Sequence, residues 1–256
     1  MRLLFFLLLL FSLAACAPKA PPPVAIQIPD RPVEYLAEVK PILDSRCVVC
    51  HSCYNSPCQL KLSSYDGVDR GASKKKIYNA TRLKTMDPTR LFIDAQSTEE
   101  WRKKGFSSVT TNNADQGFND SLMLELLNHK KNNPKSTGDY FSEAEDLTCA
   151  ENGKELGGYL QKHPNRGMPF GFPPLKKEEF TIIAGWLAQG AKGPSAEQQA
   201  LLSAPAAKDT GAIRRWEHFL NQDDAKHSVT ARYLYEHLFL AQITFDATGE
   251  SFYELV

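Results

Sequence analysis

The sequence predicts a mainly α protein, and three observations lead there. Apolar residues recur at helical spacing in several segments. Alternating strand-like runs are scarce and no internal repeat is present. The third is Cys47-Val48-Val49-Cys50-His51, the C-x-x-C-H pattern by which a c-type haem is attached. Together they predict a cytochrome c-like haem domain with a large insertion, followed by a helical extension.

The motif's spacing has a chemical reason. Two thiols three residues apart lie on one turn, where each can form a thioether to a haem vinyl group. The next residue, His51, then sits under the iron and supplies the proximal nitrogen. Cys47 and Cys50 are thus the expected covalent attachment points, and haem c with its iron is the expected cofactor. The sharpest alternative is a zinc site built from Cys47, Cys50, Cys53 and Cys58.

The N-terminal segment predicts export. Met1-Arg2 precedes a nearly unbroken apolar run from Leu3 to Leu13, too short for a comfortable membrane span. Leu13-Ala14-Ala15-Cys16 has the form of a lipobox, so residues 1–16 read as a lipoprotein-type signal peptide with Cys16 the acylated residue; the alternative is an ordinary cleaved leader. Ala17, rather than Asp, after the lipidation site resembles the outer-membrane type of a Gram-negative bacterium. Residues 17–32 carry six prolines and read as a semi-rigid tether. Periplasmic export fits the haem, whose covalent attachment needs a dedicated maturation machinery on the outer face of the inner membrane.

Composition sets wide bounds. Lys plus Arg is 30 and Asp plus Glu is 30, a balance that argues against a nucleic-acid partner. The 42% hydrophobic content of 256 residues allows one or two domains with a real core. The expected division is a haem domain over 33–194 and a helical segment over 195–256.

Residues 33–45 have Leu36, Val39, Ile42 and Leu43 at helical spacing and lead directly into Cys47. Pro41 should kink that helix or begin its next turn. Residues 59–78 look loop-rich, and Lys74-Lys75-Lys76 reads as a solvated face. A short helix is expected over 98–104, with Thr98 as cap. The next is expected over 119–131, capped by Asn119 or Asp120, with a stripe of Leu122, Met123, Leu126 and Leu127. Residues 141–161 read as partly helical, interrupted by Gly153 and Gly157-Gly158. Residues 176–191 form a clear helix with Phe180, Ile183, Ala184 and Leu187 on one face, ended by Gly190. Residues 195–208 are a connecting helix or linker. Two helical patterns over 213–221 and 229–245 close the chain.

The best candidate for the distal iron ligand is Met168, on a Pro-flanked loop before the amphipathic helix. A thioether sulfur favours reduced iron; the competing reading is that Met168 packs in the core. Its distance in sequence from His51 makes 54–149 largely an insertion. His163 lies near enough in sequence to compete. His129, at the solvent end of its helix, and His218, His227 and His237 read as hydrogen-bonded structural residues. Of the six cysteines, Cys53, Cys58 and Cys149 remain for disulfides. Cys53 and Cys58 are close enough to bridge, and Cys149 can equally pin the insertion, so the pairing stays open.

Residues 46–62, RCVVCHSCYNSPCQLKL, resemble the haem segment of bacterial fatty acid cis/trans isomerases. Further blocks agree in order: Arg70 to Lys74, PTRLFIDAQSTEEWRKKGF from Pro88, HPNRGMPFGFPPL from His163, WLAQGA from Trp186, WEHFLN from Trp216 and ARYLYEHLFLAQ from Ala231. C-x-x-C-H alone is shared by many cytochromes; its extension to C-x-x-C-H-x-C-x-x-x-x-C with these blocks is far more specific. Members of that family are longer, so the resemblance implies that residues 195–256 begin a further domain.

The resemblance implies cis-to-trans isomerisation of unsaturated fatty acyl chains, in membrane phospholipid or as free fatty acid, without movement of the double bond. A C=C bond does not rotate thermally. Withdrawal of one electron by ferric haem would lower its π order, rotation would follow, and the electron would return. The physiological role would be membrane stiffening under stress. Phe170, Phe172, Tyr233, Tyr235, Phe239 and Phe245 are candidates for an acyl channel, though core packing is the preferred reading of them. Two other readings are a membrane-tethered electron-carrier cytochrome and an inactive N-terminal fragment of the isomerase.

Overall fold

The computed structural model describes residues 26–52, 56–75, 78–79, 82–83, 87–111, 121–134, 150, 153–238, 241–245 and 251–255. The signal segment, most of the tether and the candidate residues Cys16, Cys53 and Cys149 lie outside them. Among the described residues no helix is long and apolar enough to cross a membrane.

The fold is mainly helical, as predicted. A π-helical turn, Tyr35–Val39, runs into α1, Lys40–Arg46. Pro41 sits in the first turn of α1, where its missing N–H leaves no intrahelical bond unmade, so it starts the turn instead of breaking the helix. Then follow a 3-10 turn, Pro57–Gln59, and α2, Tyr65–Arg70. Strands β1, Tyr78–Asn79, and β2, Arg82–Leu83, pair antiparallel. The remaining helices are α3 Thr98–Lys103, α4 Leu122–Asn132, α5 Gly153–Lys162, α6 Lys177–Ala188, α7 Ala196–Ser203, α8 Thr210–Leu220 and α9 Ala225–Leu238.

Several local expectations are corrected. Helix α2 interrupts the segment read as loop. It is nucleated by Ser64, whose hydroxyl accepts from the Gly67 N–H at 3.3 Å. Ser97, not Thr98, caps α3, and Thr98 donates to Asp69 instead. Ser121, not Asn119 or Asp120, caps α4, and its hydroxyl also donates to the Val109 carbonyl. On α4 the core takes Leu122, Leu124 and Leu127, with Leu124 where Leu126 was expected. Helix α5 runs through Gly157 and Gly158. Helix α9 stops at Leu238, short of 245. Lys74 and Lys75 are exposed, as read, and make surface contacts: Lys74 pairs with Glu155 and Lys75 donates to the Lys104 carbonyl, while Lys76 lies outside the described residues.

The main core forms where the π turn and α1 meet α6. Val33, Tyr35, Val39 and Leu43 pack with Phe180, Ile183, Ala184, Trp186 and Leu187, joined by Leu62, Val68, Leu124 and Leu127. Tyr35 lies edge-on to Tyr65 at 5.2 Å and tilted against Trp186 at 5.8 Å. The close approach at α6 requires Gly185: a Cβ there would lie 2.4 Å from Pro29 Cδ. The chain leaves α6 through Gly190, at φ +89°, where Trp186 Nε1 donates to the Lys192 carbonyl at 2.8 Å and the Tyr65 hydroxyl donates to Ala191. A smaller core of Ala95, Trp101 and Phe106 lies beside α2.

Helices α7, α8 and α9 contain no fully buried residue. An Arg90–Tyr235 hydrogen bond ties this C-terminal segment to the rest, and within the segment the hydroxyl of Tyr253 donates to Asp209. The preferred core reading of the aromatics is therefore corrected. Phe239 lies outside the described residues, and none of the other five belongs to the buried core. Phe172 and Tyr233 are 49% and 61% exposed. An Arg and a tyrosine ring, respectively, contact Tyr235 and Phe245.

Candidate haem-attachment site

Helix α1 delivers the motif. Its C-terminus continues as a turn in which the N–H groups of Cys50 and His51 donate to the Cys47 carbonyl at 3.1 and 3.0 Å. Those bonds wind residues 47–51 into a single turn. Arg46 anchors the turn to the start of α6, donating to the Pro174 carbonyl at 3.0 Å and lying 3.4 Å from Glu179. Cys47 is half-buried against the main core and Cys50 is exposed, and both are free thiols. Burial pushes the Cys47 thiol up to about 11, so it is protonated at neutral pH.

His51 is buried, 9% exposed, and its Nδ1 lies 3.2 Å from the Leu60 carbonyl oxygen. A carbonyl only accepts, so Nδ1 carries the proton and Nε2 holds the lone pair. Desolvation pushes the imidazole below its usual value, which keeps it neutral. The His51 carbonyl in turn accepts from the Leu62 N–H at 2.7 Å. A neutral imidazole with one nitrogen anchored and the other free is the state a metal-ligating histidine requires. Two free thiols beside it complete a donor set that fits a covalently held haem.

Met168 packs against the same apolar cluster as Cys47 and Val48. Its N–H donates to the Leu126 carbonyl at 3.1 Å, and its peptide bond to Pro169 is cis. Gly167 presses onto α4, where a Cβ would lie 2.7 Å from the Lys130 amide nitrogen. Because backbone blocks that position, Gly167→Ala is expected to lower stability by about 1–3 kcal/mol. Urea unfolding measures this directly, and an unchanged midpoint would mean that the Met168 loop is not held against α4.

The other histidines have structural partners. The His163 ring packs on Tyr159 at 5.2 Å, and His129, in the last turn of α4, contacts the Pro164 carbonyl at 2.7 Å. His218 contacts Gln222, His227 pairs with Asp224, and His237 Nδ1 lies 2.7 Å from the Tyr233 carbonyl. Cys58 is disulfide-bonded, which removes it from the zinc alternative; the candidate partners Cys53 and Cys149 lie outside the described residues. Among the described residues no group of three or more His, Cys, Asp or Glu is placed to hold a metal ion. A haem iron takes only one or two protein ligands, so it does not depend on such a group.

Sequence reasoning missed the loop that anchors His51. Its working group is the Leu60 backbone carbonyl, which no side-chain pattern advertises. Arg70, whose Nη2 donates to the Gln59 carbonyl, belongs to a quoted block but received no role.

A mainly helical chain with a C-x-x-C-H turn whose histidine is buried and whose Cys50 is exposed has the form of a candidate c-type haem protein. The sequence model of the fatty acid cis/trans isomerase family matches residues 86–256, more than half of the chain, and the chain belongs to that family. The matched region includes every quoted resemblance block from Pro88 onward; the motif at 47–51 precedes it. Comparison with curated proteins and with solved structures finds no match in either.

Proposed function

We propose that this chain is a haem-dependent isomerase converting cis-unsaturated fatty acyl chains of membrane lipids to the trans form in the bacterial periplasm. The family match over 86–256 is the observation that carries this reading. Cys47 and Cys50 hold the haem covalently, His51 Nε2 is the proximal ligand, and Met168 is the distal one, in a cytochrome c-like domain enlarged by an insertion. When bound, the haem supplies a one-electron acceptor able to lower the π order of the substrate double bond. The protein's part is to fix the imidazole through Leu60 and to pack apolar side chains around the attachment turn, limiting water. A lipid anchor at Cys16 would confine the chain to the outer-membrane surface, next to its substrate.

The second reading is a tethered electron-carrier cytochrome. It is favoured by the packing of Met168 against the same apolar cluster as Cys47, since a stable thioether bond would close the iron to direct contact with an alkene.

The test uses haem-loaded protein mixed with vesicles of cis-monounsaturated phospholipid, with trans acyl chains read by gas chromatography. Trans product is expected, and Cys50→Ala, which loses one thioether, should yield much less. No trans product from protein with an intact c-type spectrum would reject isomerisation by this chain and leave the electron carrier or an inactive fragment of the isomerase.

A further inference from the structure

The loop that holds His51 is itself held by a buried polar cluster with no role in the foregoing chemistry. Gln59, Arg70 and Thr89 are 3%, 4% and 3% exposed. Arg70 Nη2 donates to the Gln59 carbonyl at 2.5 Å, and its Nη1 donates to the Thr89 carbonyl at 2.8 Å. The Thr89 hydroxyl donates to Gln59 Oε1 at 2.9 Å, which closes a ring of three contacts. Gln59 Nε2 then reaches the Lys75 carbonyl at 2.8 Å. The Arg70 guanidinium lies 5.0 Å from the Phe106 ring centroid and 5.6 Å from that of Trp101, so its plane is packed as well as bonded.

This cluster fixes a strained backbone. Cys58 and Gln59 both have positive φ, +59° and +52°, a conformation that L-residues adopt only where surroundings impose it. Leu60 follows immediately, and its carbonyl accepts from both His51 Nδ1 and the Ser56 hydroxyl. The Cys58 carbonyl is also engaged, by the Ser73 N–H at 2.8 Å.

We propose that the Gln59–Arg70–Thr89 cluster is a positioning device for His51: it pins the loop whose Leu60 carbonyl orients the imidazole and sets its donor strength. The inference rests on the haem reading above. It gives residues 88–106, the start of the family-matched region, a function toward the motif that precedes it, since Thr89, Trp101 and Phe106 all lie there. A hydrogen bond from Nδ1–H to a carbonyl makes imidazole a stronger donor and favours ferric iron. Loosening the loop should weaken that bond and raise the midpoint potential.

The experiment uses full-length haem-loaded protein. Thr89→Val keeps side-chain shape but removes the hydroxyl; Thr89→Ser restores it. Thr89→Val should raise the midpoint potential and speed exchange of the His51 Nδ1 proton, read by NMR of the ferric form, and Thr89→Ser should return both to wild-type values. A purely structural cluster would lower the unfolding midpoint and leave the potential and the ring-proton exchange of the folded protein unchanged; that result overturns the proposal. Should Thr89→Val not fold, Gln59→Met, which removes both amide contacts, is read in the same way. Covalent haem in the wild-type protein is established first by mass. Its absence rejects the haem reading itself, whereas its presence with an unmoved potential rejects only the positioning role.

Discussion

His51→Gly is expected to abolish cis-to-trans conversion while leaving the haem covalently attached through Cys47 and Cys50. The imidazole is the proposed proximal ligand, and its replacement removes the iron's strongest protein donor. Loss of a partner one shell further out costs roughly 10–100-fold, so loss of the ligand itself should exceed about 100-fold. The absorption spectrum should change from low-spin to one with an open coordination position. Added imidazole should restore part of both spectrum and activity, because the vacated volume is buried and shaped for that ring. A variant with the wild-type spectrum and wild-type conversion would show that His51 is not a ligand.

The second large effect is on the fold. Trp186 is 1% exposed, packs on Tyr35, and donates its indole N–H to the Lys192 carbonyl. Trp186→Ala should cost about 3–5 kcal/mol by removing the largest side chain of the core. Trp186→Phe keeps most of the volume and loses the hydrogen bond, a smaller loss of about 1 kcal/mol plus some packing. Denaturant unfolding of the two variants separates these contributions. Near-wild-type stability of Trp186→Ala would mean that α6 does not anchor α1. If α6 does anchor α1, the first variant should also impair haem attachment, since α1 ends directly at Cys47.

Much of the fold was legible because periodicity is local. The helices at 40–46 and 177–188 follow apolar spacing that burial by neighbours then exploits, and the helix at 210–220 follows it without a buried residue. Capping residues were harder to place. Ser64, Ser97 and Ser121 each sit among several polar candidates, and which hydroxyl finds a free N–H depends on how the preceding chain enters the helix. Helix α2 went unread because six residues with three charged side chains and a glycine carry little periodic signal. It is held by the burial of Gly67, Val68 and Arg70 against distant parts of the chain.

The attachment turn was fully written in the sequence. The proposed haem attachment depends on residues three apart, and one turn brings them together with no help from the rest of the protein. Membership of the fatty acid cis/trans isomerase family likewise follows from sequence alone. The tertiary structure decided what surrounds that turn. Leu60 acts through a backbone carbonyl, and Arg70 and Thr89 are brought to Gln59 across 11 and 30 residues of chain. Such contacts have no period and no composition. They arise when a buried polar group must find a partner away from water, and only the folded chain determines which partner is within reach.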